Sequence, residues 1–326
     1  MPGLVPPPKQ DRPSRVIARF LGLIVMLAAV ATFIWNYTTQ NNIELVEVSS
    51  VESLRVDPES LISVDGLRIR VVQHADGATP LILLHDVDVG GSVAMGDVAT
   101  AADGFRALTV DLPGFGLSTR ITEPGHHRLT IAGMAEVVGG VVEQLGYRDV
   151  VVAGVGFGGW VAADLAVRRP DLVAGLVLVD TDFWAADEWR QRAQRLPIIG
   201  PSMTYTYETL GRFSQRVWAP HCAEGGWCPT PQQVVDRDAA ARIRNSTKSI
   251  HAFWNTPQAS LIPSDLDEIR VPTVYVWSTK GPVPRESVDR IIGEVPSISV
   301  IQAEAWAAHL EAPATVIDAA RVAAGR

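Results

Sequence analysis

The chain has 326 residues, of which 47% are hydrophobic and 20% are charged, and its net charge is −8. This composition is typical of a folded globular protein and excludes a largely disordered chain. No cluster of lysine and arginine follows the first twenty residues, so we predict no nucleic-acid partner.

The first 58 residues differ in character from the rest of the chain. Residues 1–15 predict a flexible cytoplasmic tail, and residues 16–37 form an uncharged apolar run long enough to cross a bilayer as a helix. Basic residues precede this run and acidic residues follow it, so the positive-inside rule places the main domain outside the cytoplasm. We therefore predict a single-pass plasma-membrane protein, with a polar stalk over residues 38–58.

A cleaved signal peptide is the alternative to a retained anchor. Ala29, Val30 and Ala31 fit a cleavage site with small residues at its first and third positions. The apolar run continues through Phe33, Ile34 and Trp35, where a signal peptide would be polar. This continuation favours the uncleaved anchor.

Strand and helix patterns alternate from residue 59 onward, which predicts a mostly parallel sheet with helices on both faces. Residues 183–263 interrupt the alternation with helical pieces and prolines. We therefore predict an α/β core over residues 59–182 and 264–326, with residues 183–263 inserted as a helical cap. The predicted strands lie at 67–73, 80–85, 105–111, 149–154, 174–180, 271–277 and 297–303, and the predicted helices at 131–145, 159–169, 285–293 and 312–324.

The two cysteines of the chain, Cys222 and Cys228, lie close together within the predicted cap. In an exported domain this spacing favours a small disulfide loop. Two free thiols, or half of a metal site with His221, remain as alternatives. The spacing is not the CxxC of a zinc site and no second pair exists, so we predict no metal.

Five segments in the same order resemble blocks of the α/β-hydrolase superfamily, in particular its capped branch of epoxide hydrolases, haloalkane dehalogenases and esterases. They are LILLHDVDVGGS at 81–92, VDLPGFGLST at 110–119, the strand–elbow–helix–strand segment 150–180, VPTVYVW at 271–277 and HLEAP at 309–313. The resemblance implies an α/β-hydrolase fold over roughly residues 60–326, and it implies no cofactor.

The same resemblance locates the catalytic triad, and every triad position holds a different residue type here. Gly156 stands at the nucleophile position of the elbow, Gly281 at the acid position and Trp306 at the base position. Glycine offers no nucleophile, and an indole has no acceptor for a proton. The equivalents of the oxyanion loop are Asp86, Val87 and Phe157, and a carboxylate at Asp86 could repel a developing oxyanion.

These replacements predict a non-catalytic pseudoenzyme that serves as a binding or scaffold subunit, with a membrane protein as its partner. Candidate interface residues are the five tryptophans of residues 183–263, because tryptophan is enriched at binding hot spots. Packing of the cap onto the core is an equally good interpretation of most of them, and the sequence leaves open whether a small molecule binds under the cap. The five are Trp184, Trp189, Trp218, Trp227 and Trp254.

Two further hypotheses stay open. An active ester or epoxide hydrolase with a non-standard site would need substitutes for the triad, for which Ser92, Asp180, Asp182 and His309 are candidates. A dinucleotide-binding protein is the other hypothesis, because Gly154, Gly156 and Gly159 also match the GxGxxG pattern between a strand and a helix. The surrounding blocks disfavour the second hypothesis, since they have no place in a dinucleotide-binding domain.

Overall fold

The computed structural model describes residues 13–47, 49–50, 60–184, 189–209, 222, 227–258, 263–295 and 297–326. Residues 1–12 of the predicted tail, most of the second half of the predicted stalk, and Trp218 lie outside these residues.

One eight-stranded sheet forms the centre of the domain. Its strand order is β1-β2-β4-β3-β5-β6-β7-β8, with β1 and β2 antiparallel to their neighbours and all other pairs parallel. The strands from β3 onward match the sequence-based predictions to within two residues at each end, whereas β1 was not predicted. The strands are β1 Leu61–Val64, β2 Leu67–Gln73, β3 Thr79–Leu84, β4 Phe105–Val110, β5 Val150–Val155, β6 Val173–Val179, β7 Thr273–Ser278 and β8 Ile298–Ala303.

Helices cover both faces of the sheet, because the central strands are apolar on both sides. Every residue of β5 is buried, and so are the last four of β3. One apolar layer packs helices α3 (Ile131–Gln144) and α4 (Phe157–Arg168) against the sheet. The other layer packs α2 (Gly96–Thr100) and α11 (Pro313–Ala323) against the opposite face. The predicted α/β-hydrolase fold is confirmed.

The segment between β6 and β7, which the sequence predicts to be a cap and which we name the cap, is helical over much of its described part. Within the described residues the cap helices are α5 Trp189–Gln194, α6 Gly200–Thr204, α7 Pro231–Ala241 and α8 Ser246–Trp254. After the cap the chain adds α9 (Arg285–Glu294) and the short α10 (Ala308–Glu311) before α11.

The N-terminal helix α1 spans Pro13–Val46 and is longer than the predicted membrane segment 16–37. Its part from Phe20 to Val46 is the one described helix that is long and apolar enough to cross a membrane. The first half of the predicted stalk is therefore a continuation of this helix. The physical reason is packing: Thr39, Ile43 and Glu47 are buried against the domain, so the polar segment folds as a helix on its surface.

Candidate active site

A sharp turn from β5 into α4 forms the elbow of the site. Gly156 is the turn residue, with φ 50° and ψ −115°, a conformation that strongly favours glycine. Gly158 follows it closely under the end of β3, where an added Cβ would lie 2.5 Å from the carbonyl oxygen of His85. The glycines of this segment therefore allow the elbow to approach β3 closely.

The carboxyl group of Asp86 occupies the space above Gly156. A Cβ built on Gly156 would lie 2.5 Å from the Asp86 carboxyl carbon and 2.6 Å from each carboxyl oxygen. The N–H of Phe157 donates to Asp86 Oδ1 at 2.8 Å, and the N–H of Val87 also donates to this carboxylate. The three predicted oxyanion-loop residues therefore meet, but Asp86 fills the space of the missing elbow side chain.

Asp86 is an exposed residue, but its carboxyl group lies close to protein atoms and lines a cavity. The loss of water around this carboxyl group raises the pKa of Asp86, while the hydrogen bonds from Phe157 and Val87 oppose that shift. The cavity has a volume of about 130 Å³. It is lined by His85, Asp86, Val87, Asp88, Gly91, Ala94, Met95, His309 and Leu310.

The loop that carries Asp86 is held at both ends. The N–H of Leu112 donates to His85 Nε2 at 3.0 Å, so the neutral His85 ring carries its proton on Nδ1 and donates it to the Asp86 carbonyl at 2.5 Å. On the other side of Asp86, Asp88 pairs with Arg237 of α7 at 3.1 Å. Because Arg237 is buried in the cap, this ion pair links the cap directly to the Asp86 loop.

Asp180 is a second carboxylate of the site, at the end of β6. Its Oδ1 accepts the N–H of Ser278 at 2.7 Å, and its Oδ2 accepts the Ser278 hydroxyl at 2.5 Å. Burial raises the pKa of Asp180 to about 6, and the negative charge of Asp86 adds to this shift. The two carboxylates are therefore electrostatic neighbours, and each has a raised pKa.

His309 lies on α10, directly after the segment that Asp180 organises. The N–H of Ala308 donates to the Ser278 hydroxyl at 2.8 Å, which ties the start of α10 to Asp180. His309 lines the same cavity as Asp86, so the structure brings Asp86, Asp180 and His309 to one region. Of the substitutes suggested by the sequence, His309 lines the cavity, and Asp180 lies outside its lining but close enough for the charge of Asp86 to act on it.

The residues at the predicted acid and base positions do not face the cavity. Trp306 is 50% exposed, and Gly281 packs so closely that an added Cβ would lie 2.6 Å from the Trp306 carbonyl oxygen. Ser92 is buried with its N–H donated to Asp111 at 2.7 Å, and Asp182 accepts the N–H of Trp184 at 3.0 Å within a turn. Neither of these last two side chains lines the cavity.

The cap tryptophans with described side chains are packed within the protein. Trp184 lies under the Arg290 guanidinium at 4.3 Å, and Trp254 meets the Phe253 ring at 5.1 Å. The Trp227 indole N–H donates to Asp97 at 2.5 Å. These contacts agree with the packing interpretation, and a role in partner binding stays a prediction for these residues and for Trp189 and Trp218.

The predicted disulfide is confirmed, since Cys222 and Cys228 are bonded with their Cα atoms 4.8 Å apart. Across the part of the chain that the structure describes, no group of three or more His, Cys, Asp or Glu side chains is arranged to hold a metal ion. At the elbow, a dinucleotide would need the first N–H groups of α4 for its phosphates. The Asp86 carboxylate already accepts the Phe157 N–H there, and its charge would repel a phosphate.

Comparison with known proteins agrees with this geometry. A sequence model described as the alpha/beta hydrolase fold matches residues 96–292. Haloalkane dehalogenase 2 of Mycobacterium tuberculosis is 32% identical over 154 residues, which cover 47% of this chain and 53% of the dehalogenase. The pimeloyl-[acyl-carrier protein] methyl ester esterase of Yersinia enterocolitica is 32% identical over 198 residues, covering 60% of this chain and 67% of the esterase.

Among solved structures, one described as a membrane phospholipase A and bacterial virulence factor superposes with a TM-score of 0.61. It is 20% identical and covers 94% of this chain and 97% of its own. The chain spans about half the length of the mycobacterial dehalogenase that it matches. The fold, the elbow and the matching family model together show that the chain belongs to the α/β-hydrolase fold family.

The prediction that this chain is not an enzyme is wrong. Several of its sequence relatives are named as hydrolases, a dehalogenase and methyl ester esterases among them, which points to enzymatic activity. The prediction treated the missing side chain at Gly156 as a loss of activity. Asp86, which the sequence suggested only as a hindrance to an oxyanion, lies at that position in the folded protein.

Proposed function

We propose that the chain is a membrane-anchored hydrolase in which the Asp86 carboxylate acts as the nucleophile, with His309 and Asp180 as its supporting groups. The observation that carries this proposal is the position of the Asp86 carboxyl group, within 2.6 Å of where the first side-chain atom of residue 156 would stand. A carboxylate is an established type of covalent nucleophile in hydrolases.

In the first step, Oδ2 of Asp86, the oxygen that does not accept the Phe157 N–H, attacks a saturated carbon that carries a leaving group. A carbon–oxygen bond to Asp86 forms as the bond to the leaving group breaks, which gives an ester of Asp86. A halide leaves with its electron pair and needs no proton. An epoxide oxygen requires a proton, and a protonated His309, which lines the cavity, supplies it and becomes neutral.

In the second step, water attacks the carboxyl carbon of the Asp86 ester. His309, which lines the same cavity, accepts the proton of that water. The negative charge that develops lies on Oδ1, which already accepts the N–H of Phe157. The backbone therefore stabilises the oxyanion where it forms. The intermediate then collapses: the bond to the substrate oxygen breaks, His309 returns its proton to that oxygen to give the alcohol, and the carboxyl group of Asp86 loses its remaining proton to solvent.

The cavity restricts the substrate. A volume of about 130 Å³ admits a small haloalkane or epoxide, or the reactive end of a longer chain. Apart from the two histidines and two aspartates, the lining consists of small and apolar residues such as Ala94, Met95 and Leu310. These residues favour an aliphatic group over a charged one.

We also propose that residues 16–37 anchor the enzyme as a single-pass plasma-membrane protein with the main domain outside the cytoplasm. The charge asymmetry around this segment supports the orientation, and the Cys222–Cys228 bond supports an oxidising compartment. A membrane-protein partner, which the sequence suggests, would be compatible with this anchor and remains a proposal.

The test is an activity assay on the full chain in detergent against short haloalkanes, epoxides and p-nitrophenyl esters. We expect turnover of a haloalkane or an epoxide, and a loss of at least about 1,000-fold in D86N, because an amide is a poor nucleophile. D182N is the matched control, since Asp182 is a neighbouring acid that caps a turn away from the cavity and should keep activity.

A second variant separates the two steps. H309Q should still form the Asp86 ester from a haloalkane but hydrolyse it slowly, so mass spectrometry should find the protein heavier by one alkyl group. Haloalkane or epoxide turnover that survives in D86N would contradict the assignment of Asp86. Activity across the whole panel that is no greater than the background would contradict the proposed function itself.

A further inference from the structure

The outer end of α1 is attached to the cap at a defined level. Asn36 Oδ1 accepts the Ser202 hydroxyl at 2.6 Å, and the Gln40 amide donates to the same hydroxyl oxygen at 3.2 Å. Residues 20–34 of the helix are exposed on all sides, whereas Trp35 and Asn36 are half-buried. The exposed apolar surface of α1 therefore ends where its contact with Ser202 begins.

The length of the helix puts this contact at the edge of the hydrocarbon layer. A hydrocarbon layer of about 30 Å takes roughly 20 helical residues. A span that starts near Val16 therefore ends near Trp35, one residue before Asn36. Ser202 and its helix α6 lie at the outer membrane boundary.

The direction of the cap chain at this boundary follows from a second contact of α1. Glu47, roughly 16 Å beyond Asn36 along the helix, accepts the N–H of Thr247 through Oε1 at 2.7 Å. Helix α8 begins beside this contact and ends at Trp254, whose carbonyl accepts the Nε–H of Arg195 at 2.7 Å. Midway along α8 the His251 ring meets Gly200, where an added Cβ would lie 2.7 Å from it. The helix therefore runs from the level of Glu47 past the level of Ser202, and the residues before α6 lie at its far end, on the membrane side.

Those residues form an exposed apolar turn. Leu196 is 47% exposed and Ile198 is 76% exposed, and Pro197 between them is exposed as well. Ile198 is the most exposed large hydrophobic residue that the structure describes. At the membrane boundary, the lipids are the nearest apolar surroundings for this exposed turn.

We infer that Leu196, Pro197 and Ile198 insert into the outer leaflet and hold the cap against the bilayer as a second membrane contact. This inference rests on the proposal that α1 spans the membrane, and it is independent of the chemistry at Asp86. Two contacts, one by α1 and one by this turn, fix the orientation of the domain on the membrane surface. A helix alone would leave the domain free to rotate about it.

The experiment uses the full chain in vesicles of neutral phospholipid. Cys222 and Cys228 are bonded to each other, so a single added cysteine can be labelled selectively with an environment-sensitive fluorophore. I198C and L196C test the inference. V235C in α7 and V322C in α11 are the matched controls, because these valines are 58% and 49% exposed on other parts of the domain. A28C, in the middle of the predicted span, tests the anchor.

We expect lipids with a quencher near the headgroup to reduce the fluorescence at positions 198 and 196 at least threefold more than at positions 235 and 322. A lipid with its quencher deep in the acyl chain should quench position 28. If position 28 is quenched and position 198 behaves like position 235, the second contact does not exist although the anchor does. If position 28 is not quenched, α1 does not span the bilayer, and both proposals fail.

Discussion

The carboxyl carbon of Asp86 lies 2.5 Å from the point that the Cβ of any side chain at Gly156 would occupy. The two positions come from different parts of the chain, the loop after β3 and the turn after β5, and they compete for one volume. Only one of them can carry a side chain that projects into the site. The Asp86 side chain in this position therefore requires a glycine at position 156.

The exclusion predicts strong coupling between the two positions. We expect G156A to lower the free energy of unfolding by about 3 kcal/mol, because it combines strain at positive φ with overlap against Asp86. In the background of D86G the same substitution should cost about 1–2 kcal/mol, since only the backbone strain remains. Urea unfolding of the wild type, G156A, D86G and the double variant D86G/G156A measures the coupling energy between the two positions.

The same cycle provides the control. D86G alone removes a carboxylate with a raised pKa and should not destabilise the fold by more than about 1 kcal/mol. Equal effects of G156A in both backgrounds would show that Asp86 moves away from Gly156 without penalty. That result would contradict the close approach described here.

The raised pKa of Asp180 predicts that the stability of the protein depends on pH. Its pKa is raised from 3.8 to about 6, so the folded protein holds this proton while the unfolded chain releases it. The stabilisation is present below about pH 4 and is lost as the pH rises through 6, by about 3 kcal/mol in total. D180N should lack this loss, so the stability difference between wild type and D180N should change by that amount between pH 4 and 7.5.

Urea titrations at several pH values give this difference directly. D182N again serves as the comparison, because the Asp182 side chain caps a turn through the N–H of Trp184 and does not bond to Ser278. A difference between wild type and D180N that stays constant with pH would mean that Asp180 titrates at its ordinary value in the folded protein.

The ion pair between Arg237 and Asp88 predicts that the cap controls the Asp86 loop. R237M should leave Asp88 without its partner in a largely buried position, at a cost of about 3 kcal/mol. Because Asp88 is two residues from Asp86, we also expect kcat/KM to fall about tenfold or more. R242M is the matched control, since Arg242 ends the same helix and is exposed. Equal kinetics of R237M and wild type would show that the loop is positioned without the cap.

Glu47 predicts how firmly the anchor helix holds the cap. It is buried and caps the start of α8 through the N–H of Thr247, so E47A should lower stability by about 1–2 kcal/mol. E44A, three residues earlier and exposed, should have little effect. Limited proteolysis at the junction of helix and domain should be faster in E47A alone. Identical cleavage rates in E47A and E44A would contradict the docking of this segment.

Much of the fold could be predicted because its signals are local. The apolar runs of β3, β5 and β6 and the periodicity of α3 and α11 each depend on a short stretch of sequence. The strand β1 was missed, because its four residues, Leu61–Val64, are too few to show a clear alternating pattern of apolar residues. Its formation depends on pairing with β2, which a single segment cannot reveal.

The site could be predicted only in part, because its key relationship is not local. The sequence identified Asp86 and Gly156 separately, but they are 70 residues apart, and their contact requires the sheet order that places β3 beside β5. The docking of residues 38–47 was missed for the same reason. A polar segment after an apolar helix predicts a stalk, and only the folded cap provides Ser202 and Thr247 as its partners.

The most direct test of the account is a single turnover in water enriched in ¹⁸O, with the enzyme in excess over a haloalkane or epoxide substrate. If Asp86 is the nucleophile, the product of the first turnover takes its oxygen from the carboxylate, and the label enters Asp86 when water hydrolyses the ester. We therefore expect unlabelled product and a peptide containing Asp86 that is heavier by one ¹⁸O. Labelled product with an unlabelled Asp86 peptide would show that water attacks the substrate directly, and would contradict the assignment of Asp86 as the nucleophile.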